Sequence, residues 1–161
     1  MKQSGKIYSI NISPVKGVSK APVSQAYIGP LGIEGDGHSG QWHRQASLLS
    51  YESIKAFNNQ GKGNINARPG DFGENITTTG IDVGSLKIKD IIIISSRKNN
   101  PEDNGAMLEV TQIGKECLTP CRIYYEAGFC IMPVEGVFCR VVRPGIVKKG
   151  YSLIVKPASP D

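Results

Sequence analysis

Lys6-Ile-Tyr-Ser-Ile-Asn-Ile-Ser13 sets the kind of structure this chain builds. Tyr8, Ile10 and Ile12 alternate with Ile7, Ser9 and Asn11, the two-residue period of a strand with one apolar face, and Pro14 ends it. Similar segments recur outward from there. Residues 21–28 read as a weaker strand closed by Gly29-Pro30, and Ser47-Leu48-Leu49 is a short apolar piece. Residues 71–76 run into a Thr-rich strand through Thr79, and residues 85–89 and 91–95 suggest two more. Residues 106–113, 136–142 and 152–155 complete the set, with turn signals at Pro69-Gly70, Pro144-Gly145 and Lys149-Gly150. Helix is scarce. Ser50 is placed to cap a helix over residues 51–60, with Ile54 and Phe57 on one face and Gly61 as the stop. Residues 122–127 have room for one or two helical turns, and residues 97–105 read as an exposed loop without an apolar side chain. Many short strands with few helices predict a mainly β fold, a closed or partly closed β-barrel with a few short helices.

The bulk numbers agree with one domain over residues 1–161, with its core from about residue 6 to residue 156. Nineteen Gly and ten Pro punctuate the chain, and 39% hydrophobic with 20% charged residues argues against disorder. A net charge of +5 suits a small anionic ligand. Aromatic and basic residues do not interleave as a base-stacking surface would, so no nucleic-acid partner is expected. The N-terminal residues lack an apolar signal segment and the run 91–94 is too short to span a bilayer, so no membrane association and a cytoplasmic location are expected. Four cysteines in such a compartment read as reduced thiols.

Three stretches carry residues suited to chemistry. Gly114-Lys115-Glu116-Cys117-Leu118-Thr119-Pro120-Cys121-Arg122 holds two of the cysteines, flanked by positive charge that favours the reactive thiolate. The alternative is two small buried apolar side chains. The Cys-x3-Cys spacing differs from the Cys-x2-Cys of redox and zinc motifs, although a Cys2His2 site with His38 and His43 is conceivable. Residues 29–40 hold five glycines around Glu34, Asp36 and His38, and Trp42-His43-Arg44 follows. That is either a glycine-lined anion or metal pocket or a surface loop with solvated imidazoles. Gly70-Asp-Phe-Gly-Glu74-Asn75 offers a general base and an amide, or two side chains that satisfy turn backbone. Lys16, after Pro14-Val15 at a strand end, is the basic residue best placed to meet a ligand, while Cys130 and Cys139 sit among apolar neighbours and read as core.

Together these pieces resemble the MOSC domain, the module named after the C-terminal part of molybdenum cofactor sulfurases. The resemblance rests on Ser13-Pro-Val-Lys-Gly17, on Gly32-Ile-Glu-Gly-Asp-Gly-His-Ser-Gly40 with Arg44, on Pro69-Gly-Asp-Phe-Gly-Glu-Asn-Ile76, and on Gln112-Ile-Gly-Lys-Glu-Cys117 leading to Pro120-Cys121-Arg-Ile. It implies a pyruvate-kinase-barrel-like β fold and a cysteine at the chemical centre, as a sulfur carrier (a persulfide) or as a molybdenum ligand. Cys121 matches that position, with Cys117 as auxiliary. Lys16 would meet the phosphate of the molybdenum cofactor (molybdopterin), and His38, His43, Arg44, Glu74, Asn75 and Arg122 would line the same site. The implied function is molybdenum-cofactor or sulfur handling, as a sulfur-transferase-like protein. The alternatives are a molybdenum-dependent reductase of N-hydroxylated compounds with a separate redox partner, and a non-catalytic cofactor-binding or delivery module. A cysteine desulfurase or a molybdoenzyme is the implied protein partner. Relatives often carry a basic residue where this chain has Gly37. These 161 residues contain no aminotransferase-like domain, so pyridoxal-phosphate desulfurase chemistry is not expected of this chain alone.

Overall fold

The computed structural model describes residues 3–60, 66–96, 105–115 and 130–159. Its frame is a closed ring of seven strands. β1 (Gln3–Ile12) pairs with β11 (Ser152–Lys156), which pairs with β7 (Ile91–Ser95), then β8 (Ala106–Ile113) and β9 (Val137–Arg143). The ring returns through β5 (Ala46–Ser50) and β6 (Ile76–Thr79) to β1. Every neighbour is antiparallel except β5 and β6. A short β2 (Ala21–Val23) adds to the far end of β1, and β3 (Gln25–Gly29), β4 (Gly32–Ile33) and β10 (Gly145–Lys148) form a three-stranded sheet beside the ring.

The sequence expectation departs from this plan in four places. The alternation in β1 is interrupted by a register shift between Ile7 and Ser9, where it pairs with β6. One extra residue at a bulge exchanges the faces. Ile7 and Ile10 therefore both enter the core, while Tyr8 turns outward and stacks on Tyr51 with ring centroids 4.0 Å apart. The single strand expected over residues 21–28 breaks at Ser24 into β2 and β3, which belong to different sheets. Residues 85–89 form no strand. Val83–Ser85 make one 3-10 turn, and Asp90 closes the next turn by accepting the Lys87 N–H at 2.9 Å. Strand β10, which begins at the Gly145 of an expected turn, was not foreseen.

Two apolar clusters hold the ring. Ile7, Ile10, Leu48, Ile76, Ile92, Ile94, Leu108, Val137 and Leu153 fill the barrel, and Ile28, Ile33 and Val147 join them from the small sheet. Outside the ring, α1 (Tyr51–Asn59) and a single helical turn, α2 (Met132–Glu135), pack with Phe72 against Leu49 and Phe138. Both faces of β5 are thus covered, which is why all five residues of Ala46–Ser50 are buried rather than every second one. Ser50 caps α1 as expected, its Oγ accepting the Ser53 N–H at 3.0 Å, and Ile54 and Phe57 are its buried residues. The proposed stop at Gly61 and the segments 97–104 and 122–127 lie outside the described residues. Among those described, no helix is long and apolar enough to cross a membrane.

Candidate functional site

The C-terminal end of β1 and the N-terminal ends of β5 and β6 meet at one rim of the barrel, and the loops that leave this rim carry the candidate residues. Asn75 is the bolt of the rim. Its backbone N–H donates to the Ser47 carbonyl (3.1 Å), its carbonyl accepts from Asn11 N (2.7 Å), and its amide oxygen accepts from Ser47 N (3.1 Å). Glu74 beside it is fully buried. Thr77 Oγ1 donates to its Oε2 at 2.8 Å and in turn accepts from Asn11 Nδ2 at 3.0 Å, while Oε1 has no hydrogen-bond partner among the described residues. Burial pushes the Glu74 carboxyl up to about 7, opposed in part by the Thr77 hydroxyl and backbone N–H groups of its turn. Glu74 and Asn75 thus hold the rim together from inside and expose no atom to a ligand.

Above the rim, residues 13–20 and 34–45 fold against each other. Gly37 N donates to the Ser13 carbonyl at 2.8 Å, and a Cβ on Gly37 would stand 2.8 Å from the Pro14 carbonyl oxygen. The absent side chain is what lets the loops close. Asp36 joins them further: Oδ1 accepts from Ser13 N (3.1 Å) and Lys20 Nζ (2.6 Å), and Oδ2 accepts from His38 N (3.0 Å). Burial alone would raise the Asp36 carboxyl, but the Lys20 ammonium and the backbone N–H groups of Ser13 and His38 outweigh it and hold it well below the usual carboxylate range. Lys20 is as buried as its partner and also lies 3.0 Å from His38 Nδ1.

Trp42 is the floor on which the cations rest. Its Nε1–H donates to the His38 carbonyl at 2.7 Å, and its ring lies parallel to His38 at 6.2 Å. Lys16 Nζ sits 4.5 Å and Arg44 Cζ 4.6 Å from the indole centroid. Such contacts hold two like charges close without a carboxylate between them. Arg44 Nε is buried and makes no hydrogen bond among the described residues, so one charged donor at the site lacks an acceptor there. His43 meets the Trp42 ring edge-on, centroids 6.5 Å apart, with its Nε2 2.7 Å from Gln112 Oε1 and its carbonyl accepting from Thr111 Oγ1. Gln112 Nε2 then donates to the Gly114 carbonyl at 2.8 Å, and Gly114 N and Lys115 N bond to Gly136 and Pro133 carbonyls. The first described residues before the cysteine stretch are therefore tied to the loop that carries Arg44. Cys117, Cys121 and Arg122 themselves lie outside the described residues.

The profile of the MOSC domain matches residues 35–153. This chain belongs to the MOSC domain family. Solved structures agree in fold: the YuaD protein from Bacillus subtilis superposes with a TM-score of 0.77 at 21% identity, covering 99% of each chain. YiiM from Geobacillus stearothermophilus gives 0.67 at 19% identity over 94% of this chain and 75% of its own, and YiiM from Escherichia coli gives 0.61 at 21% over 100% and 72%. A search of curated proteins finds no match. MOSC domains are generally associated with binding of the molybdenum cofactor. The Ser13–Gly17 motif precedes the matched residues, yet in this MOSC protein it is bonded directly to Asp36 and Gly37 within them.

Of the residues singled out from sequence, Lys16, His38 and Arg44 come together around Trp42, His43 meets the same indole edge-on, and Glu74 with Asn75 lie beneath. The cysteines of the Cys2His2 alternative, Cys117 and Cys121, lie outside the described residues, while His38 Nδ1 lies against Lys20 and His43 Nε2 against Gln112. Among the described residues no cluster of three His, Cys, Asp or Glu could hold a metal. Cys139 is core as expected, fully buried, with burial and then Glu109 pushing its thiol up; Cys130 is half-buried against the outer cluster. Sequence reasoning gave no role to Lys20, Trp42 or Gln112 and named Asp36 only as a member of the glycine-rich loop. Trp42, the one Trp of the chain, lying between two His and an Arg, was the signal available for it.

Proposed function

We propose that this MOSC protein binds an anionic cofactor of the molybdopterin type at the Lys16–His38–Arg44 rim and uses Cys121 as the sulfur-carrying or molybdenum-ligating residue. The observation that supports this reading best is the orphaned Arg44 Nε beside Lys16 on Trp42. Two cations without carboxylate partners, and a buried donor without an acceptor, among the described residues fit a phosphate-bearing ligand. The donor set suits the terminal phosphate of such a cofactor, whose molybdenum would supply oxygen- or sulfur-transfer chemistry. Lys16 and Arg44 would bind and orient the phosphate, Trp42 would keep the cations apart from water on one side, and Glu74 and Asn75 would hold the rim in register. In the sulfur-carrying role, the Cys121 thiolate takes the terminal sulfur of a donor persulfide and the donor leaves as a thiolate, so no external oxidant is needed. The partner is then a desulfurase-type sulfur donor.

The test is expression in a cofactor-producing host under low oxygen, followed by molybdenum and pterin content and intact mass. A mass gain of one sulfur, lost in Cys121→Ser, supports the carrier role. Bound molybdenum and pterin lost in the same variant support ligation, and N-hydroxylated substrates with a reducing partner then test the reductase alternative. Pterin retained by Cys121→Ser without any persulfide leaves the delivery module and removes Cys121 from the centre.

A further inference from the structure

We propose that Lys20 is a positioning residue that fixes the tautomer of His38, so that the site presents a neutral Nε2–H donor to its ligand. The use of that donor rests on the anion-binding reading above, while the geometry behind it does not. The Lys20 side chain is 1% exposed, and its ammonium touches Asp36 Oδ1 at 2.6 Å and His38 Nδ1 at 3.0 Å. An ammonium has three donors and no acceptor. A contact of hydrogen-bond length between it and a ring nitrogen therefore requires that nitrogen to offer its lone pair. Nδ1 accepts, and the ring proton stays on Nε2.

The competing arrangement, with Nδ1–H donating to Asp36 Oδ2, would have to span 3.7 Å and would set an N–H against an ammonium. Oδ2 already accepts the His38 backbone N–H, and Oδ1 is shared by Lys20 and Ser13. The order of control runs outward: the carboxylate holds the ammonium, and the ammonium holds the ring. The His38 side chain is 24% exposed, and its Nε2 has no hydrogen-bond partner among the described residues. The rim thus divides its work. Lys16 and Arg44 bring the charge, and His38 adds a directional donor without a third positive charge, an arrangement suited to an acceptor oxygen of a phosphate.

The experiment is long-range proton–nitrogen correlation NMR on the nitrogen-15-labelled whole chain at pH 7.5, with His43 as the internal comparison. In the wild type the His38 pattern should be that of the Nε2–H tautomer. In Lys20→Met, Nδ1–H is free to turn to Asp36, and the pattern should invert while circular dichroism is unchanged; Lys20→Arg, which keeps the donors, should restore it. An Nδ1–H pattern in the wild type overturns the proposal, and so does an uninverted pattern in a folded Lys20→Met. Should Lys20→Met fail to fold, the wild-type and Lys20→Arg spectra decide. A separate arm titrates inorganic phosphate into the wild type and His38→Ala, where affinity should fall about tenfold. A correct tautomer with no change in phosphate binding leaves Lys20 as the positioning residue and removes the anion reading instead.

Discussion

At the scale of single residues, two buried carboxyls pull stability in opposite directions with pH. The folded Glu74 value, about 7, lies above the ordinary 4.5, so the native state holds the proton more tightly than the unfolded chain. Its contribution is whole below about pH 4.5 and is lost as pH rises through about 7, a change on the order of 3 kcal/mol. Asp36 is the reverse case: held below its ordinary 3.8, it contributes above that pH and its contribution is lost as pH falls further. Glu74→Gln, neutral at every pH, should flatten the decline between pH 5 and 8, read from denaturant midpoints at each pH; an unchanged slope would mean that Glu74 is ionised throughout. Arg44→Ala should weaken phosphate binding by about 10- to 100-fold in calorimetry, the range for a hydrogen bond to a charged group. The residues that make up the rim were only partly readable in advance. Lys16, His38 and Arg44 stood out because charged residues beside glycine and proline at strand ends point to a ligand. Lys20 did not, because its partner Asp36 is 16 positions away and only the closed loops show that an ammonium is sealed there.

Elements tell the same story at a coarser grain. Alternation and turn residues located β1, β5 to β9 and β11, and the Ser50 cap located α1. What they could not give was the partner of each strand. β2 and β3 look continuous in sequence and part at Ser24 only because one pairs with β1 and the other with β10. The bulge in β1 is invisible for the same reason, since either face of Ile7-Tyr8-Ser9-Ile10 can be called apolar until β6 fixes the register. Where the signal is local the energetics are predictable. Ser50→Ala removes the acceptor for Ser53 N and should cost about 1 kcal/mol, a fall of about 2–4 °C in melting temperature by calorimetry.

On the scale of the whole molecule, closure of the ring is a contact between the two ends of the chain. Gln3–Lys6 of β1 pair with Ser152–Val155 of β11, so the barrel is complete only when the last strand arrives. Leu153, fully buried at that seam, should therefore behave as a residue of the common core: Leu153→Ala is expected to lower stability by about 2–5 kcal/mol in a guanidinium titration. A loss under 1 kcal/mol would mean that the seam is dispensable. The small sheet shares that core through Ile28, Ile33 and Val147, which links the rim loops to the barrel on which they stand. The indole of Trp42 gives this arrangement an optical consequence. As the chain's one Trp, excited beyond the absorption band of the six Tyr, it makes the emission of the protein a report on the rim. Lys16 and Arg44 lie against its ring, and any anion that draws them off should change its brightness and colour, so that occupancy can be followed in real time without a label.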